Sequence, residues 1–240
     1  VAEGYAPEAA LTEITTATEH LLTTVAGLSD ADLREPSLLP GWTRGHVLSH
    51  LCRSGEALVR LCTWASTGVE TPMYPSRQAR AEDIEAGADR SVAEQLADLR
   101  DTSDRFLRAA RALDAAAWSA TVGRPAGPMP AAQIPAARLT ELYVHLVDLD
   151  CGYTPAHWPA AFVGQELPRV VSRLSEQPDC PALTLHADDT GRDLTLGGGE
   201  PQAKVTGPEP ALLAWLIGRA SGDGLTVDPS GPLPAPPAWL

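Results

Sequence analysis

Residues 138–148 read RLTELYVHLVD, and this stretch decides how the chain is organised. Set on an α-helix at about 100° per residue, Arg138, Glu141, His145 and Asp148 share a polar wedge about 80° wide. Leu139, Leu142, Tyr143, Val144, Leu146, Val147 and Leu149 surround it. A helix that is apolar over most of its circumference belongs inside a bundle, so its narrow polar wedge faces something polar there. Glu141 and His145 are one turn apart, the spacing that lets two side chains grip one metal ion. An ordinary intrahelical pair has the same spacing, so a third ligand is needed from elsewhere.

Working outward, this helix covers residues 131–149, with Pro135 tolerable only near its start. A second helix runs from an N-cap at Thr43 to about residue 66, with Val47, Leu48, Leu51, Leu58 and Leu61 as its apolar set. His46 and His50 lie one turn apart on it, and Ser54 continues their face. One of these histidines, meeting Glu141 and His145 across the bundle, completes a two-His, one-carboxylate set. Three protein ligands leave an open coordination position, the mark of a catalytic zinc site. Periodicity does not choose between His46 and His50. Nothing around His20, His157 or His186 favours a ligand role.

Residues 11–28 form a further helix with Leu11, Ile14, Leu21, Leu22 and Val25 facing a core. Residues 29–41 are read as a connection, 67–75 (TGVETPMYP) as a loop, and 76–88 as a short polar helix. Ser91 and Glu94 make a capping box for a long helix through residue 113. Residues 123–130 (GRPAGPMP) are another loop. After Gly152 the character changes. A helix over 162–174 is interrupted at Pro168; strands follow at 182–186, 193–196 and 203–206, then a helix over 210–220 and a last strand at 225–227. The Pro-rich tail, 229–240, is extended. Four long helices followed by a small α+β unit imply two domains.

The 31 acidic residues outnumber the 18 basic ones, giving a net charge of −13. That balance repels phosphate backbones and anionic lipid, so neither nucleic acid nor a membrane is an expected partner. No run of about 18 apolar residues spans a bilayer. The first ten residues lack the basic and apolar segments of a secretory signal, and a cytoplasmic location is expected. Cys52, Cys62, Cys151 and Cys180 form no C-x-x-C pair and are read as reduced structural thiols.

Residues 37–51 (SLLPGWTRGHVLSHL), taken with residues 138–148, resemble the mycothiol-dependent maleylpyruvate isomerase family of DinB-like metalloproteins. Residues 64–74 (WASTGVETPMY) and 232–240 (PLPAPPAWL) look like the isomerase branch of that family. The resemblance runs from about residue 21 to the end. It implies an N-terminal DinB-like four-helix bundle over residues 1–155 and a small C-terminal α+β domain over 156–240, packed over the metal site. It implies that the histidine ending the Gly-Trp-Thr motif, His50 and not His46, joins Glu141 and His145 as metal ligands. Arg219, in GRASGDG, is implied to face the active site, and Arg80 is a candidate of the same kind. Arg138 or Asp148 would orient ligands.

The implied cofactors are Zn²⁺, or another divalent metal such as iron, which uses the same ligand set, and mycothiol as thiol cosubstrate. The implied substrate is a small anion, maleylpyruvate or a similar cis-enoyl diacid, isomerised to the trans form by thiolate addition, bond rotation and elimination. A mycothiol S-transferase sharing the metal site is the alternative, and a non-catalytic metal- or thiol-binding module a second one.

Overall fold

Ser29, Thr43, Ser76, Ser91 and Asp114 each accept a hydrogen bond from the backbone N–H three residues on, and each opens a helix. In this computed structural model residues 7–124 and 127–239 are described; residues 125–126 of the second loop and Leu240 of the tail lie outside them. The chain divides into two compact units, one up to Gly152 and one from Tyr153 onward.

In the first unit α1 is Pro7–Ala26, α2 Asp30–Arg34, α3 Arg44–Thr67, α4 Arg77–Ala88, α5 Val92–Arg111 and α6 Ala115–Ser119. A two-stranded hairpin, β1 (Thr121–Val122) with β2 (Met129–Pro130), precedes α7 (Ile134–Asp148). The four long helices form a bundle: α1 packs on α5 and α7, and α3 packs on the same two. The apolar faces read from the sequence meet at its centre, where Leu11, Ile14, Leu21, Leu48, Leu51, Leu61, Phe106, Leu142 and Leu146 are fully buried. Each such side chain contributes about 1.5–3 kcal/mol on leaving water. The hydroxyl of Tyr143 on α7 bonds the carboxylate of Glu13 on α1.

The connection over 29–41 is more ordered than expected. Ser29 and Asp32 cap each other and build α2, a capping box whose Asp replaces the usual Glu or Gln. Arg44 then ties three pieces together, donating to the carbonyls of Leu149 (2.7 Å), Asp32 (3.1 Å) and Asp150 (3.2 Å). The α4 helix crosses α3 at the backbone: a Cβ on Gly45 would lie 2.1 Å from the carbonyl oxygen of Ala88, and one on Gly87 2.4 Å from the Ser49 hydroxyl.

The second unit holds α8 (Ala160–Ser175), β3 (Leu183–Ala187), β4 (Arg192–Leu196), β5 (Ala203–Gly207), α9 (Glu209–Leu216) and β6 (Thr226–Asp228). The sheet order is β4-β3-β5-β6, with β3 and β5 parallel and the outer pairs antiparallel. The expected interruption at Pro168 does not occur: α8 runs through it. Proline cannot bond the carbonyl four residues earlier, and that carbonyl, Gly164, instead accepts from Arg192 at 2.8 Å. Among the described residues no helix is long and apolar enough to cross a membrane.

Candidate metal centre

His46 and His50 are equivalent by periodicity and are separated by their partners. His46 is spent on the start of α3: its Nδ1 accepts from the backbone N–H of Thr43 at 3.2 Å, and its Nε2 meets Glu85 at 3.1 Å. His50, one turn on, is buried and points inward, with the Trp42 ring 5.6 Å from its own. Its Nε2 lies 2.9 Å from Oε2 of Glu141 and 3.0 Å from Nε2 of His145. Nε2 of His145 is 3.6 Å from the same Glu141 oxygen. The structure thus brings His50, Glu141 and His145 together, with one ligand atom from each inside a 4.8 Å span.

Ligand atoms about 2.0–2.1 Å from a tetrahedral zinc stand ~3.3 Å apart, so these separations fit one ion. The chemistry fits as well. His145 gives its Nδ1 proton to the buried carboxylate of Asp148 at 2.7 Å, which leaves the Nε2 lone pair facing the centre, the usual arrangement behind a metal-bound imidazole. Glu141 has its carboxyl held far below the usual range. Burial alone would raise it, but the charge and hydrogen bond of His50, then His145 and Arg138, outweigh that. Burial pushes His50 below its ordinary value, partly opposed by Glu141, which favours the neutral, ligating form.

Arg138 lies wholly buried one turn before Glu141 on α7. Its Nη1 donates to the Leu51 carbonyl at 2.9 Å, while Nε and Nη2 meet no acceptor among the described residues. A cation is therefore fixed behind the carboxylate ligand.

Arg80, on α4, reaches the centre from the opposite side. Its Nη2 is 3.1 Å from Nδ1 of His50, and its guanidinium stands 5.6 Å from the centre of the Tyr74 ring. It lines a cavity of about 620 Å³ together with Trp64, Met73, Tyr74, Arg77 and Arg124. A smaller void of about 90 Å³ shares Met73 and Arg124 with it and reaches Ser54 and Glu141. Trp42, Tyr74, Arg77 and Arg124 were not picked out as site residues from the sequence. The Gly-Trp-Thr turn and the 67–75 loop were legible, but not the direction in which their rings point. Arg219 sits in the second unit after α9, where its Nη1 donates to the Ile217 carbonyl at 2.8 Å.

The family model described as the mycothiol maleylpyruvate isomerase N-terminal domain matches residues 14–150, and the MDMPI C-terminal domain matches residues 157–238. A crystal structure of a mycothiol-dependent maleylpyruvate isomerase superposes with a TM-score of 0.90 at 29% identity, covering 97% of this chain and 96% of that one. A crystal structure of a histidine-to-alanine mutant of the mycothiol-dependent maleylpyruvate isomerase gives a TM-score of 0.89 at 29% identity and the same coverage. No curated protein matches. With both of its units matched by the family's two domains, the chain belongs to the mycothiol-dependent maleylpyruvate isomerase family.

Proposed function

We propose that this chain is a metal- and mycothiol-dependent cis–trans isomerase that converts maleylpyruvate, or a similar cis-enoyl diacid, to its trans isomer. The observation that carries the reading is the convergence of His50, Glu141 and His145 beside an arginine-lined cavity in a chain of this family. Zn²⁺ or another divalent cation held by these three residues supplies, when bound, the Lewis acidity that keeps a thiol deprotonated at neutral pH.

The mycothiol sulfur forms a C–S bond to the alkene carbon β to the substrate ketone, and the π electrons move to the ketone oxygen as an enolate. The former double bond, now single, rotates. Collapse of the enolate restores the double bond as trans and expels the sulfur with its electron pair, so the thiol is regenerated. No protein nucleophile is required. Asp148 holds His145 in the tautomer that presents Nε2. Arg80, braced by Tyr74, stabilises the developing enolate or the adjoining carboxylate. Arg219 is assigned to a substrate carboxylate on the family resemblance.

The test is to incubate zinc-loaded protein with mycothiol and maleylpyruvate and follow the trans product. Thiol-dependent conversion that vanishes in His50→Ala establishes the site and the reaction class. A stable thioether in place of the trans isomer makes the protein an S-transferase, and thiol binding without turnover makes it a binding module. Arg219→Ala should keep its metal and lose turnover; loss of metal would refute the assigned role.

A further inference from the structure

We infer that Trp64 and Glu70 form a subsite for the two hydroxyl-rich rings of the thiol cosubstrate, in the part of the large cavity remote from the metal centre. This subsite rests on the mycothiol dependence proposed above and not on the isomerisation step.

The cavity is larger than the reacting diacid needs. At about 620 Å³ it suits a ligand of drug size, and a small keto-diacid beside Arg80 and His50 leaves room to spare. Its lining is mixed. Trp64, Pro72, Met73 and Tyr74 offer apolar and aromatic surface, Ser76 and Arg77 offer donors, and Glu70 offers an acceptor. A carboxylate placed there would meet repulsion from Glu70, whereas a neutral polyol needs acceptors as well as donors. Sugar-like rings also present an apolar face of C–H groups, which an indole can cover. Mycothiol has this composition: a cysteine, a glucosamine and an inositol are joined in series, with no carboxylate.

The fold sets this lining in line with the metal ligands. Ser54, Leu61 and Trp64 follow His50 on α3 by four, eleven and fourteen residues, each close to a whole number of turns, and so share its face. Ser54 and Leu61 line the small void that reaches Glu141, and Met73 borders both that void and the large cavity. Trp64 stands nearly four turns beyond His50, with its side chain leaning back toward the helix N-terminus. A ligand with its sulfur at the metal must therefore be elongated to meet it, as a thiol followed by two rings is.

Both residues owe their places to glycines. Gly68, left-handed at φ 70°, closes α3 by donating its N–H to the Trp64 carbonyl at 2.8 Å, and turns the chain into the loop that carries Glu70. A Cβ on Gly123 would lie 2.8 Å from the Trp64 ring, so a glycine is what lets that backbone come up against the indole. Trp64 is only half-buried and Glu70 is exposed, so each has surface to offer a ligand.

The test is calorimetric titration of zinc-loaded protein, without diacid, with mycothiol and with N-acetylcysteine amide, which keeps the thiol and lacks both rings. Wild type, Trp64→Ala and Glu70→Ala are compared, with zinc content and circular dichroism as checks on folding. Glu70, exposed in a loop, keeps the test decisive should Trp64→Ala misfold. Wild type is expected to prefer mycothiol. Trp64→Ala should bind it on the order of 10- to 100-fold more weakly and Glu70→Ala roughly tenfold more weakly, with amide binding unchanged in both. Equal binding of the two thiols by wild type, or undiminished mycothiol binding by folded Trp64→Ala or by Glu70→Ala, overturns the inference. Selective mycothiol binding that falls in the variants, with no trans product from wild type, sinks the isomerase reading and leaves the subsite standing. Trans product from wild type with undiminished mycothiol binding in the variants does the reverse.

Discussion

Nη2 of Arg80 and Nδ1 of His50 lie 3.1 Å apart, and because a guanidinium only donates, the imidazole must accept there. In this arrangement His50 carries its proton on Nε2, which points at Glu141 2.9 Å away. Ligation through Nε2 needs that proton on Nδ1, facing a second donor. Arg80 and a metal ion thus compete for His50. Arg80→Ala should bind zinc at least as tightly as wild type, by up to about fivefold, the worth of one hydrogen bond of ~1 kcal/mol, while losing turnover. Zinc titration against a chromogenic chelator checks this; weaker binding in the variant refutes the competition.

Arg138 is a buried cation whose charge helps keep Glu141 ionised. Removing one member of a buried set of charges leaves the other uncompensated at a cost of about 3–5 kcal/mol, so Arg138→Met should lower the melting temperature. The carboxylate gives this loss a pH dependence. Glu141 has a depressed pKa, so its ionised form persists above that value and is lost as pH falls through it. Removing the cation raises the value, so in metal-free protein the stability lost in Arg138→Met should be largest near neutral pH and shrink in acid. A loss independent of pH would separate Arg138 from the carboxylate.

Burial pushes the thiols of Cys52 and Cys62 up to about 12. Cys151 and Cys180 are only partly buried. An aromatic disulfide reagent at pH 8 should titrate at most these latter two thiols in the folded protein and four after unfolding. Cys52→Ala and Cys62→Ala should retain activity per bound zinc, as expected when the reacting sulfur belongs to a cosubstrate.

Gly45 has the backbone of α4 against it, with 2.1 Å between a notional Cβ and the Ala88 carbonyl. Replacing an unobstructed helical glycine by alanine stabilises by up to ~1 kcal/mol. Here the overlap reverses the sign, and Gly45→Ala should destabilise by ~1–3 kcal/mol. Because α4 also carries Arg80, the same variant should weaken turnover. Thermal melts alongside kinetics check both.

The bundle was legible because its helices advertise themselves twice, by apolar spacing and by caps such as Thr43 and Ser91. Glu141 and His145 were legible for a related reason: local spacing determines what one helix can present. The choice of His50 over His46 was not, since it depends on which histidine is consumed by the cap, and family resemblance supplied it. Helix α2 was missed because its capping box uses Asp32. The run of α8 through Pro168 was missed because the compensating donor to the Gly164 carbonyl, Arg192, lies 28 residues from that glycine. The arginine cavity depends on a crossing of α3 and α4 that no periodicity encodes.

The two halves of the ligand set are remote in the chain, with His50 and His145 95 residues apart. An ion gripping both is a removable cross-link, fastening α3 to α7 and closing a long loop of the unfolded chain. Binding then becomes folding free energy by mass action. The thermal transition of the first unit should climb with the logarithm of free metal and fall on chelation. With the ion held as proposed, catalysis and durability would draw on the same three side chains, and a substitution that loosens the ion would be felt as fragility before it is recognised as inactivity.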